Sequence, residues 1–380
     1  MALTSVGRGF KRRLWIGRTR QSSYGTASAL SSNTLKADVL PSAPTRQKTA
    51  TMLDNEMATG TDFPQKQIPL EITTSAKWDF WASPEMIGFW MAAIMGDDSV
   101  STTGTSNYLH TITMVAAGTY TGAFTVEEHT DGDTGNSSRD KLWSDLTPTK
   151  VTITWGRTGL ARMSVECMGS GRASSCVNPT ETATINVWLP VNKIRFWVAP
   201  ASALGTSAWG GSYTAPSSAG TFANASNITG EVDFSQNIES ATFIYEQTLA
   251  ADRVAGSSSG AGIYGEQPEV VRRSARLEVK WLTDNSTDDF LYALPGSTES
   301  AQAEYTVFLE FVTDKLVNNR YYGGAIIMPL VGLTDSPDGD ATLDLMQDSL
   351  TFFAKKTYAG TSRDPVHVYT VDGQNVTYNN

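Results

Sequence analysis

Cysteine and histidine are almost absent from this chain, and their scarcity removes several kinds of chemistry. Cys167 and Cys176 are the only cysteines, and His110, His129 and His367 the only histidines, in 380 residues. One cysteine pair does not make a disulfide scaffold and fits a reducing compartment. No two histidines stand at ligand spacing, so no metal site and no His-based triad is expected. Charged residues reach only 18%. No run approaches the roughly 18 apolar residues of a spanning helix. The start, MALTSVGRGFKRRLWIG, carries positive charge with no continuous apolar run behind it, so it does not read as a secretory signal. There is no P-loop.

The charge that is present is uneven. Residues 1–20 hold Arg8, Lys11, Arg12, Arg13, Arg18 and Arg20 and no acid. The net charge is −10, so the other 360 residues carry −16. A body this acidic is a poor nucleic-acid binder, because phosphate attraction needs Lys and Arg. The basic start reads either as a solvated tail or as an arm contacting an acidic neighbour.

Apolar residues make up 40% of the chain and aromatics 10%, enough for a core. Ser, Thr and Gly fill the rest, which favours an all-β protein. KRRLWIGRTRQSSYGTASAL (residues 11–30) reads as a strand running into a Tyr-Gly turn. Residues 31–66 are polar, with Pro41 and Pro44, and read as a long loop or arm. IPLEITTSAKWDFW returns to strand propensity. NYLHTITMVA alternates, and TYTGAFTVEEHTDGDTGN reads as a strand ending in a turn. The clearest hairpin is TKVTITWGRTGLARMSVECMGSG. Val151, Ile153 and Trp155 share a face, GRTG turns, and Ala161, Met163, Val165 and Cys167 share a face on the return.

One dense block interrupts the strands: KWDFWASPEMIGFWMAAIMGDD, residues 77–98. Ser83 suits an N-cap, Pro84 the first helical position, Glu85 the positive end of the dipole, and Gly96 the C-terminal stop. Met86, Ile87, Trp90, Met91, Ile94 and Met95 recur at helical spacing. The expectation is a three-turn amphipathic helix with one face on a sheet, and tryptophans to spare for a partner subunit.

The pattern then recurs. Residues 192–211 echo 11–30. LEVKWLTDNSTDDFLYALPG (277–296) echoes the strand–helix block, with a second, weaker helix near 286–294. AEYTVFLEFVTDKL (303–316) echoes YTGAFTVEEHTDGD, and residues 323–349 echo the hairpin. Four echoes in one order imply tandem duplication: a first domain over 1–180, a second over 181–360, and a tail over 361–380.

Motifs for catalysis fail on context. GSSSG (256–260) matches a nucleophile elbow but lies in a low-complexity loop. DGDTGN (131–136) starts like a calcium loop but puts Gly at the fifth position and Leu142 at the twelfth. DSPDGD (335–340) reads as a turn. Glu127 and Glu128 are neighbours on a strand and point to opposite faces, so they cannot flank one bond. No catalytic, cofactor or metal residue is assigned, and no enzyme is expected. The alternative is a carbohydrate-binding β-sandwich of a virion fibre or surface layer, with Trp209 and Tyr213 as sugar-stacking rings.

The stretches LWIGRTRQSSYGTA, FPQKQIPLEITTSAKWDFWASPEMIGFWMAAIMG, YTGAFTVEEHTDG and DLTPTKVTITWGRTGLARMSVECMGSG together resemble phage tail tube proteins, the major subunits of long non-contractile tails. The resemblance covers most of residues 10–171 and, more faintly, 190–356. It implies an all-β fold with short flanking helices: two tandem tail-tube-like barrel or sandwich domains. It also implies a virion protein, assembled in the host cytoplasm, whose copies stack as rings around a channel. Tape-measure and tail-tip or terminator proteins are the implied partners, and DNA passes through the lumen without sequence-specific binding. Two units per chain imply three chains per pseudo-sixfold ring. Arg12, Arg13, Trp15, Trp81, Trp155 and Met328 are the candidate self-assembly residues.

Overall fold

Strand propensity governs nearly the whole chain. The computed structural model describes residues 12–30, 34–42, 45–53, 67–116, 118–129, 140–177, 187–201, 205–216, 228, 230–250, 267–282, 304–333, 340–342, 345–357 and 363–378. Its first half forms β1 (Arg13–Gly17), β2 (Thr34–Asp38), β3 (Arg46–Leu53), β4 (Gln67–Trp81), α1 (Pro84–Met95), β5 (Gly96–Gly104), β6 (Asn107–Met114), β7 (Phe124–His129), β8 (Lys141–Trp155), β9 (Arg162–Gly169) and β10 (Ala173–Ser174). The second half forms β11 (Ile194–Pro200), β12 (Val232–Asp233), β13 (Ile238–Ala250), β14 (Glu269–Leu282), β15 (Tyr305–Val317), β16 (Arg320–Leu333), β17 (Asp340–Thr342), β18 (Leu345–Ala354) and β19 (His367–Asp372).

All strands join one antiparallel network. One layer runs β3-β4-β9-β8-β13-β14-β18-β17. The other runs β12-β11-β15-β16-β19-β6-β5. Three pairs between β16 and β18 link them. A short sheet, β2-β1-β7-β8-β10, shares the N-terminal half of β8. Alternation places one face of each layer inside. Trp155 of β8 meets Phe311 of β15 at 6.1 Å, and Phe196 of β11 meets Phe352 of β18 at 6.0 Å.

The helix forms where its caps place it. Ser83 Oγ accepts from the Met86 N–H at 3.1 Å, Pro84 opens the first turn, and Gly96 closes it at φ +102°. A Cβ on Gly96 would also sit 2.8 Å from Val115. The expected one-sided amphipathic helix is corrected. Every residue of α1 but Glu85 is buried, because the helix sits inside the sandwich against β19, β8, β6 and β5. Trp78 and Trp90 are equally buried, 5.9 Å apart, and face no exterior.

Other expectations change too. Residues 31–66 are not one loop, since β2 and β3 fall within them. Residues 361–380 are not a tail, since β19 lies between β16 and β6. The tight hairpin of the second half joins β15 to β16 through Asn318 and Asn319, both at positive φ, as a two-residue hairpin turn requires. The ladder also crosses the boundary expected at residue 180, through β8 and β13. The weaker second helix near 286–294, the GSSSG and DGDTGN motifs and most of DSPDGD lie outside the described residues. No helix among the described residues is long and apolar enough to cross a membrane.

Candidate functional site

The basic start is not a free arm from residue 12 onward. Arg12 is buried, donating to Glu128 of β7 and, at 2.6 Å, to the Ser42 carbonyl. Arg18 reaches Gln374, and Arg20 reaches the Gly96 carbonyl that ends α1. Arg13 pairs with Asp38 at 2.7 Å on the partly exposed side of β1.

The six assembly candidates therefore divide by position. Arg12, Trp15, Trp155 and Met328 are interior groups of this chain. Trp15 lies 4.2 Å from His129, with Lys36 over its ring. Trp155 follows the inward alternation of β8, and Met328 packs in the main core from β16, a strand buried along most of its length. Arg13 and Trp81 reach the surface. Trp81 lies on the outer face of β4, its ring under the Arg162 guanidinium at 5.2 Å, in a groove lined also by Leu40, Pro41, Asp79 and Thr154. Trp209 and Tyr213 are buried against His367, Phe308 and Tyr369, so neither offers a sugar-stacking platform.

The layer that runs from β3 to β17 ends in unpaired edges. Among the described residues β3 pairs only with β4, and β17 only with β18. Residues 46–51 are all exposed, and β4 gains its second neighbour, β9, only at Thr74. Residues 67–71 and their β3 partners thus extend beyond β9 as a two-stranded ribbon, with Leu70 half exposed. A lone ribbon of this kind is marginal in water, and an unpaired edge is a template for another strand.

Two buried polar clusters brace the interior. His110 of β6 bonds Asp98 through Nδ1 at 2.9 Å and approaches Asp372 through Nε2 at 3.4 Å. Tyr378 stacks on the imidazole at 4.3 Å, donates its N–H to Asp98 and its hydroxyl to Asp372. Burial opposes charge on His110, but Asp372 and Asp98 outweigh it and hold its pKa up at about 10. Glu85, accepting from Gln374, is raised to about 7 by burial and then by Asp372.

The second cluster joins β7 to the segment after β10. Glu127 and Glu128 do take opposite faces: Glu128 goes to Arg12, while Glu127 bonds His129 and accepts from the Val177 N–H at 2.8 Å. The Cys176 thiol bonds the same Glu127 carboxylate. Burial first, and then Glu127 and Asp140, push that thiol's pKa up. A carboxylate oxygen of Glu127, a ring nitrogen of His129 and Sγ of Cys176 lie within 4.8 Å of one another. Sequence reasoning weighed Glu127 only against Glu128. The readable signal was Glu127-x-His129, two residues apart on one strand and so on one face. Cys176 joins them only through the fold.

Comparison of the chain with models of known protein families gives no match, and comparison with curated proteins gives none either.

Proposed function

We propose that this chain is a structural β-protein that assembles edge to edge into closed rings. Within that class it is a phage tail tube subunit, its rings stacked around a channel for genome passage. The observation that carries this reading is the layer that runs from β3 to β17. Among the described residues, eight strands form one antiparallel sheet open at β3 and at β17, and its middle is a side-by-side union, β8 with β13, of strands from the two sequence halves. Copies joining β17 of one chain to β3 of the next would repeat between chains the union already made within one, and would remove the exposed edges of this layer. Three chains would then supply six units to a barrel whose bore is set by strand number. The acidic body would repel passing phosphates rather than hold them. Tape-measure and terminator proteins are the partners such a tube requires, and the virion tail is its location.

Purified chain tests this by negative-stain microscopy, alone and with tail-tip seeds. Rings or tubes are expected. Lys48→Pro and Thr49→Pro in β3 sharpen the test, because successive N–H groups point to opposite sides of a strand. One of the two removes only an outward donor and should leave a folded chain that does not assemble. A strictly monomeric wild type, inert to seeding, contradicts the reading, as does normal assembly of both variants.

A further inference from the structure

We propose that Glu127, His129 and Cys176 bind one divalent transition-metal ion of the zinc class, pinning the segment after β10 to β7. The donor atoms already converge within 4.8 Å, although the residues come from two separate elements. Two of them are fixed by strand geometry: Glu127 and His129 share one face of β7 and are fully buried. The third stands on a half-buried segment, which gives an ion a route in from solvent.

Carboxylate, imidazole and thiolate together suit zinc, cobalt and similar borderline ions; calcium and magnesium take oxygen ligands. The charge facing the site favours a cation, since among the described residues Glu127 and Asp140 outweigh Lys141 around Cys176. His129 supports it independently. Its ring is clamped on Trp15 at 4.2 Å, and Nδ1 is buried with no hydrogen-bond partner. A buried ring nitrogen left without a partner is costly in a purely hydrogen-bonded cluster, and either imidazole nitrogen can ligate a metal ion. Binding would replace the thiol–carboxylate hydrogen bond by a thiolate–metal bond, with the thiol proton released to solvent. Three protein ligands leave the remaining coordination to water on the half-exposed side. The site does not depend on ring assembly and stands or falls separately from it.

The full chain, stripped with a chelator and titrated with Co²⁺, gives the test. One equivalent should produce a thiolate-to-cobalt charge-transfer band, and Zn²⁺ should abolish it by displacement. Zn²⁺ should also raise the melting temperature. Cys176→Ser should lose both the band and the Zn²⁺-dependent rise, while Cys167→Ala, which alters a core cysteine elsewhere, should keep them. Circular dichroism establishes that both variants are folded. The proposal is overturned if wild type shows no band, or if the band survives in Cys176→Ser.

Discussion

Val151 of β8 stands opposite Tyr245 of β13, in an antiparallel ladder that joins the two halves of the chain. Both are buried, and so are their neighbours Ile153 and Phe243 in the same register. The contact is continuous core, not a surface touching a surface. Phe243→Ala should therefore lower global stability by about 3–5 kcal/mol, the usual cost of emptying an aromatic core site. Denaturant unfolding checks this, and a loss below about 1 kcal/mol would mean that the ladder is dispensable.

Trp155 and Trp81 should separate stability from assembly. Trp155 is fully buried, so Trp155→Ala should cost about 3–5 kcal/mol. Trp81 lies partly exposed under Arg162. Trp81→Ala should unfold within about 1 kcal/mol of wild type, yet form fewer rings at equal concentration if the groove beside it meets a neighbouring chain. Unfolding curves and particle counts on the same preparations read the two effects apart.

Gly88 lets α1 pack close against Thr370 of β19 and Tyr378. A Cβ there would lie 2.6 Å from Thr370 Oγ1 and 2.7 Å from the Tyr378 ring. Helix propensity favours alanine over glycine by about 1 kcal/mol, but overpacking opposes it by about 1–3 kcal/mol. Gly88→Ala should thus be net destabilising, and a raised melting temperature would show that the C-terminal segment yields easily.

Glu85 and His110 should give opposite pH signatures. Glu85 has a folded pKa raised from 4.5 to about 7, so its stability penalty grows between these values and is constant above. Glu85→Gln should match wild type near pH 4 and exceed it by about 3 kcal/mol above pH 7. His110 has a folded pKa raised from 6.5 to about 10, so its contribution is complete below 6.5 and is lost as pH rises through about 10. His110→Asn should cost roughly 3–5 kcal/mol at neutral pH, by stranding Asp98 and Asp372. That deficit should narrow as the pH passes 10. Urea midpoints across the pH range report both.

What the sequence disclosed was local. Ser83, Pro84 and Gly96 bound the helix, and the alternation of β8 and β9 assigns their inner faces, because caps and pleats are set by near neighbours. The helix's burial all round was missed, because helical spacing was read as one apolar face although MIGFWMAAIM contains no polar side chain. Long-range pairing was not. Nothing in HVYTVD announces that it will lie between β16 and β6, and nothing near Trp209 announces a buried ring. Of the candidate sites, two of the three residues of the Glu127–His129–Cys176 cluster were visible as a two-residue spacing. The cysteine, nearly 50 residues away, was not.

Mass per ring is the most direct measurement of the central claim. Scanning transmission electron microscopy of unstained rings, or native mass spectrometry of a single ring, weighs the repeating unit without a structural model. Three chains of 41.0 kDa give about 123 kDa, and six give about 246 kDa. A ring of about 123 kDa with pseudo-sixfold symmetry is the expected result. A ring of about 246 kDa, with six full-length chains around the channel, would contradict the two-unit reading and move half of each chain out of the wall.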